Sequence, residues 1–140
     1  MMLRNVVIFL VLTLSACALE AQSAQTLGPG NMRLLPGYVH TPMRPLDSAA
    51  AGRISKAHGL VVSYDIGGAA GHYEDDPHWK DRAEWRTEQV IEGKRVVCIY
   101  TKSKEMLIAF PDDLANFHAK ARTQRDITDM MLMVLTYDPK

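Results

Sequence analysis

Residues 84–110 alternate three apolar stretches with two tight polar turns, and few patterns restrict a fold as strongly. Residues 84–91, 95–101 and 106–110 are rich in β-branched, aromatic and large aliphatic side chains, as strands are. Glu92-Gly93-Lys94 and the polar run 102–105 separate them. Turns this short join antiparallel neighbours, because parallel strands need a crossover of about a dozen residues. The pattern predicts an antiparallel meander.

A second strand group precedes it. In residues 60–66, Leu60, Val62, Tyr64 and Ile66 alternate with Ser63 and Asp65, the pattern of a half-buried strand. Ala57-His58-Gly59 supplies a turn from a shorter strand at 52–56, so a hairpin is expected. The alternative for Ser48 to Ala51 is the start of a short helix running into it. The sheet should then have about five strands.

Beyond residue 110 the pattern reads as helical. Asp112 and Asp113 suit a helix start, Leu114, Phe117 and Ala121 share a helical face, and Lys120 and Arg122 suit the other end. Thr123-Gln124-Arg125-Asp126 has the form of a capping box ahead of a buried stripe of Ile127, Met130, Met131, Val134 and Leu135. Residues 132–137 also suit a final strand, since Val134, Thr136 and Tyr137 favour extended chain. Strands followed by helices predict an α+β domain, an antiparallel sheet with C-terminal helices packed on one face. That domain spans 46–140. Residues 17–45, interrupted by Gly28-Pro29-Gly30, Pro36-Gly37, Pro42 and Pro45, read as a tether to about Thr26 and then irregular chain, with Leu34, Leu35 and Tyr38 laid against the domain.

FPDDLANFHAK, with the helix after it and LTYDP, resembles the end of small α+β lipoproteins and Mog1/PsbP-like domains. The resemblance implies a sheet strand leading into a helix laid over the sheet. It carries no catalytic motif.

The leader bears on location. Arg4 is followed by an apolar run from Val6 to Leu12, extended by Thr13 and Leu14. Crossing a bilayer takes about 20 such residues, so the run fits the core of a secretory signal instead. Leu14-Ser15-Ala16-Cys17 resembles the lipobox of bacterial lipoprotein precursors. That resemblance implies cleavage after residue 16, diacylglycerol on the Cys17 thiol, and, because Ala18 is not the aspartate used for inner-membrane retention, an outer-membrane address. Ala16-Cys17-Ala18 is also an A-x-A cleavage site, which would release a periplasmic or secreted product. Several acyl chains anchor firmly where one does not.

Removal of 1–16 takes away a single charge, Arg4, from a chain with 16 basic and 16 acidic residues. A near-neutral domain without a basic cluster is a poor partner for nucleic acid or an anionic surface. Its expected partners are the membrane, through the lipid, and another envelope protein. Cys98 would be the remaining thiol, set in Val96-Val97-Cys98-Ile99 as a small buried hydrophobe.

GHYEDDPHWKD, residues 71–81, is the densest chemical stretch. His72, Glu74, Asp76 and His78 offer nitrogen and oxygen donors for a divalent metal, though histidines six apart around Pro77 have no fixed geometry. The alternative is a solvated acidic loop in which Trp79 packs on the sheet. Gly67-Gly68-Ala69-Ala70-Gly71 lacks the Gly-Lys-Ser/Thr of a phosphate loop and is expected to serve a tight bend. Cys98 with His118 evokes a thiol nucleophile, but a central strand provides no activating setting, and there is no G-x-S-x-G elbow. Met130, Met131 and Met133 are expected in the core, as are Trp79, Trp85 and Tyr73, whose other reading is an aromatic binding patch. The expected function is a non-enzymatic binding or structural role at the cell envelope, with a metal-binding envelope protein as the alternative.

Overall fold

The computed structural model describes residues 26–44 and 50–140. The leader, Cys17 and the tether up to residue 25 lie outside the described residues, as does the first half of the short helix considered at 48–51; Ala50 and Ala51 are in a strand. Among the described residues seven strands form one sheet: β1 (Tyr38–Met43), β2 (Ala50–Lys56), β3 (Val61–Ile66), β4 (Ala83–Ile91), β5 (Lys94–Thr101), β6 (Glu105–Phe110) and β7 (Ala115–Lys120). Their spatial order is β1-β2-β3-β7-β6-β5-β4, antiparallel throughout. A single helical turn, α1 (Pro77–Lys80), sits between β3 and β4, and α2 (Gln124–Val134) follows β7.

The α+β class holds, with seven strands where about five were expected. All five expected strands are present. The hairpin turns after β2, β4, β5 and β6 each contain a left-handed residue. Glu92 and Gly93, at φ 50° and 78°, make the two-residue primed turn between β4 and β5. His58, at φ 55°, turns β2 into β3.

The two additional strands come from segments read otherwise. Tyr38–Met43 falls in the stretch expected to be irregular, yet pairs with β2 along its full length as an edge strand. An edge position tolerates Pro42, whose missing N–H costs no interior ladder bond. The helix expected to open at Asp112 is a strand: Pro111–Asp113 make one 3-10 turn, Leu114 turns left-handed at φ 50°, and Ala115–Lys120 insert between β3 and β6. One C-terminal helix therefore remains instead of several. It is α2, and it keeps the expected capping box, with Thr123 Oγ accepting from the Asp126 N–H and Asp126 accepting from the Thr123 N–H. The helix ends at Val134, so the strand considered at 132–137 does not form.

β5 and β6 are buried on both faces, Val96–Ile99 and Met106–Phe110 running without an exposed residue. On one face Val62, Tyr64, Ile108, Phe110 and Phe117 pack beneath Met130, Met133 and Val134 of α2 and beneath Met32, Leu34 and Tyr137. A fully buried aliphatic side chain contributes about 1.5–3 kcal/mol, so three in α2 secure a helix too short to persist alone. On the other face Val97, Ile99, Leu107 and Ala109 lie beneath Trp79, with Tyr73 and Ala83 beside it. Gly52 is fixed by proximity: a Cβ there would lie 2.5 Å from the Tyr64 hydroxyl and 2.8 Å from the Thr41 carbonyl oxygen.

Candidate functional site

Residues 67–82 return across the sheet face opposite α2. Gly67 at φ 121° donates its N–H to the Leu114 carbonyl at 2.9 Å and starts the bend; Gly71 at φ 73° completes it. These glycines serve backbone geometry, as the sequence suggested. Asn116, buried on β7, then pins the loop from below, its Oδ1 accepting from the Tyr73 N–H at 3.3 Å and its Nδ2 donating to the Gly71 carbonyl at 3.0 Å. Asp76 caps α1 by accepting from the His78 N–H at 2.8 Å, and the turn delivers Trp79 into its apolar seat.

That path separates the four residues considered as metal ligands. His72 Nδ1 lies 3.1 Å from Glu74 Oε1. His78 Nε2 instead faces Glu105 Oε2 at 3.4 Å, and Asp76 is committed to its cap. Among the described residues, no three histidine, cysteine, aspartate or glutamate side chains converge as a metal site. Glu74 is nonetheless unusual, being 1% exposed with Oε2 lacking a partner among the described residues.

The loop covers only part of its face. Beside it, over β2 and β3, a cleft of about 570 Å³ opens. Its floor is Ser63, Asp65 and His118; one wall is Met43, Arg44, Ala51 and Arg53, the other Ala69, Ala70 and Tyr73. Strand register explains the floor, since Arg53 pairs with Ser63 and Ser63 with His118, placing three polar side chains in one row across β2, β3 and β7. Neighbouring strands lie about 4.8 Å apart, so the row is continuous.

Asp65 organises the electrostatics. Its Oδ2 accepts from the Tyr73 hydroxyl at 2.7 Å and lies 3.9 Å from His118 Nε2. Burial, and then the bond to Asp65, push the Tyr73 hydroxyl up to about 12, so it remains a donor at neutral pH. Burial holds His118 below the ordinary histidine value against the opposing pull of Asp65. The imidazole is accordingly neutral at pH 7. Arg53 has no carboxylate within ion-pair distance among the described residues.

The remaining candidates resolve into packing. Cys98 is 6% exposed, its thiol pushed up by burial, and it faces the α2 side of the sheet, whereas His118 faces the other. That parity rules out a Cys98–His118 pair. Asp112 and Asp113 belong to the 3-10 turn. Met130 and Met133 are fully buried and Met131 is packed beside them. Trp85 stacks on Tyr100 on the helix face while Trp79 and Tyr73 lie on the other, so the aromatics form no single patch.

Sequence reasoning missed the cleft. Ser63 and Asp65 stood out as the polar half of an alternating strand, but His118 was assigned to a helix and its register with Ser63 was invisible. No helix among the described residues is long and apolar enough to cross a membrane. Comparisons with protein-family models, curated proteins and solved structures find no match to this chain.

Proposed function

We propose that this chain is an exported protein, anchored through a lipid on Cys17, whose α+β domain binds a small ligand in the cleft floored by Ser63, Asp65 and His118. The anchor is supported by the leader, whose apolar run closes on Leu14-Ser15-Ala16-Cys17. Binding is supported by one observation above the others: a concavity lined by oriented polar groups of both charges, on a face whose other half is sealed by Trp79. At about 300–1,000 Å³, ligand pockets of this kind hold a few convergent polar groups among apolar walls. A purely structural role gives no reason for Arg53 to lack a carboxylate partner among the described residues.

Two measurements test the reading. Metabolic labelling with an alkyne fatty acid should mark the chain and lose the mark in Cys17→Ser; equal labelling of both overturns the anchor. A panel of small anions, cations, zwitterions and sugars, screened by amide chemical shifts on the full chain in detergent, should perturb Arg53, Tyr73 and His118 together. Shifts scattered over the surface, or none, overturn the cleft.

The metal reading draws support from the contact between His72 and Glu74 and from the unsatisfied Glu74 Oε2. Metal titration of the full chain should then give one stoichiometric Zn²⁺, lost in His72→Ala and unaffected by His78→Ala. No zinc binding, or equal loss in both variants, removes it.

A further inference from the structure

We propose that the cleft recognises a zwitterion of the amino-acid or short-peptide class, its carboxylate held by Arg53 and its ammonium by Asp65; the proposal rests on the cleft being the binding site. The argument begins with two opposite charges that fail to meet. Arg53 faces Ser63 and Asp65 faces Ala51, so the two are diagonal neighbours on adjacent strands, about 7–8 Å apart at the backbone. Two side chains of their length can close such a gap. They form no ion pair, because Asp65 is drawn the other way by the Tyr73 hydroxyl at 2.7 Å and toward His118.

A guanidinium and a carboxylate lining one cleft without pairing select what enters it. A simple anion on Arg53 would sit beside the negative Asp65, and a simple cation on Asp65 beside the positive Arg53. A neutral ligand would leave both charges without a counterpart. A molecule carrying both signs satisfies both at once, each bond being of the charge-assisted kind. Arg44, on the same wall, reinforces the anionic end. At the other end the Tyr73 ring lies beside the carboxylate, the aromatic and acidic combination that favours an ammonium. His118, across β3 from Arg53 and beside Asp65, is neutral and adds no competing charge. The apolar wall of Ala69 and Ala70 accommodates small side chains, and the volume exceeds the needs of one amino acid.

The test uses the full chain in detergent and trialanine, trialanine amide, N-acetyl-trialanine and the doubly blocked peptide, measured by calorimetry at pH 7. Trialanine should bind. Blocking either end, or making Arg53→Ala or Asp65→Asn, should weaken it by at least roughly tenfold, while Arg95→Ala, at the far side of the sheet, should not. Asparagine still accepts from Tyr73, and circular dichroism checks that each variant is folded. Equal binding of the free and doubly blocked peptides overturns the zwitterion, as does binding insensitive to Arg53→Ala. Failure of all four peptides also overturns it, and the chemical-shift panel then decides separately whether the cleft binds anything else.

Discussion

The sheet face opposite α2 has two halves built from the same kind of strand and put to different use. Over β5 and β6 the side chains Val97, Ile99, Leu107 and Ala109 are sealed beneath Trp79. Over β1, β2 and β3 the same face presents Thr41, Arg53, Ser63 and Asp65, with Val39, Met43 and Val61 exposed among them. The boundary is His118 and Tyr73, whose rings lie 5.8 Å apart. One half holds the fold together by excluding water. The other half is spared that duty and can carry charge, and a change on either side should reveal which duty it serves.

The largest effect should come from the sealed half. Trp79→Ala should cost about 3–5 kcal/mol, read from urea unfolding, because a buried ring is lost and the loop loses its seat. A loss below about 1 kcal/mol would show that the seal contributes little and would erase the contrast. Gly52→Ala comes next. Its new methyl group would collide with the Tyr64 hydroxyl and the Thr41 carbonyl, and overpacking of this kind costs about 1–3 kcal/mol. The collision lies on the α2 face, where Tyr64 packs into the core, but in the strands that carry the cleft, so the cleft should be disturbed before Trp79 loses its seat.

The boundary should respond to pH. Burial holds both His118 and His40 below the ordinary histidine value, so the unfolded chain takes up protons that the folded chain resists. Stability should be full above about pH 6.5 and fall as the pH drops through that value. His118→Gln should flatten that slope in urea midpoints measured on either side of it; an unchanged slope would assign the dependence elsewhere. The smallest effect should be that of Arg53→Ala on stability, within about 0.5 kcal/mol, as expected for an exposed residue with no ion-pair partner among the described residues. A loss of 2 kcal/mol or more would place Arg53 in the fold and not in the cleft.

What the sequence disclosed follows the range of the interactions involved. Turns and caps are local, so Glu92-Gly93, Ala57-His58-Gly59 and the Thr123/Asp126 capping box were legible, and with them five strands and α2. β7 was not, because Phe117 and Ala121 fit a helical face and an alternating strand equally well. The choice is made by β3 and β6, which pair with it from both sides. β1 was hidden by Pro42, a strand breaker everywhere except at an edge. The cleft depends on register between β2, β3 and β7, a quantity no single stretch of chain contains. His72 and Glu74 were readable as a pair, but the partner of His78, Glu105, is contributed by a strand that comes later in the chain.

On the helix side, the segment entering the domain is fastened to the one leaving it. The Asp138 N–H donates to the Gly30 carbonyl at 2.8 Å, the Arg33 N–H to Thr136 Oγ at 2.8 Å, and Asn31 Nδ2 to the Asp138 carbonyl at 3.2 Å. Tension arriving at Thr26 therefore loads this clasp before it reaches any strand of the sheet. The cleft faces away from the clasp, so a pull on the chain at Thr26 would be taken up on the helix side while the row of Arg53, Ser63 and His118 keeps its place.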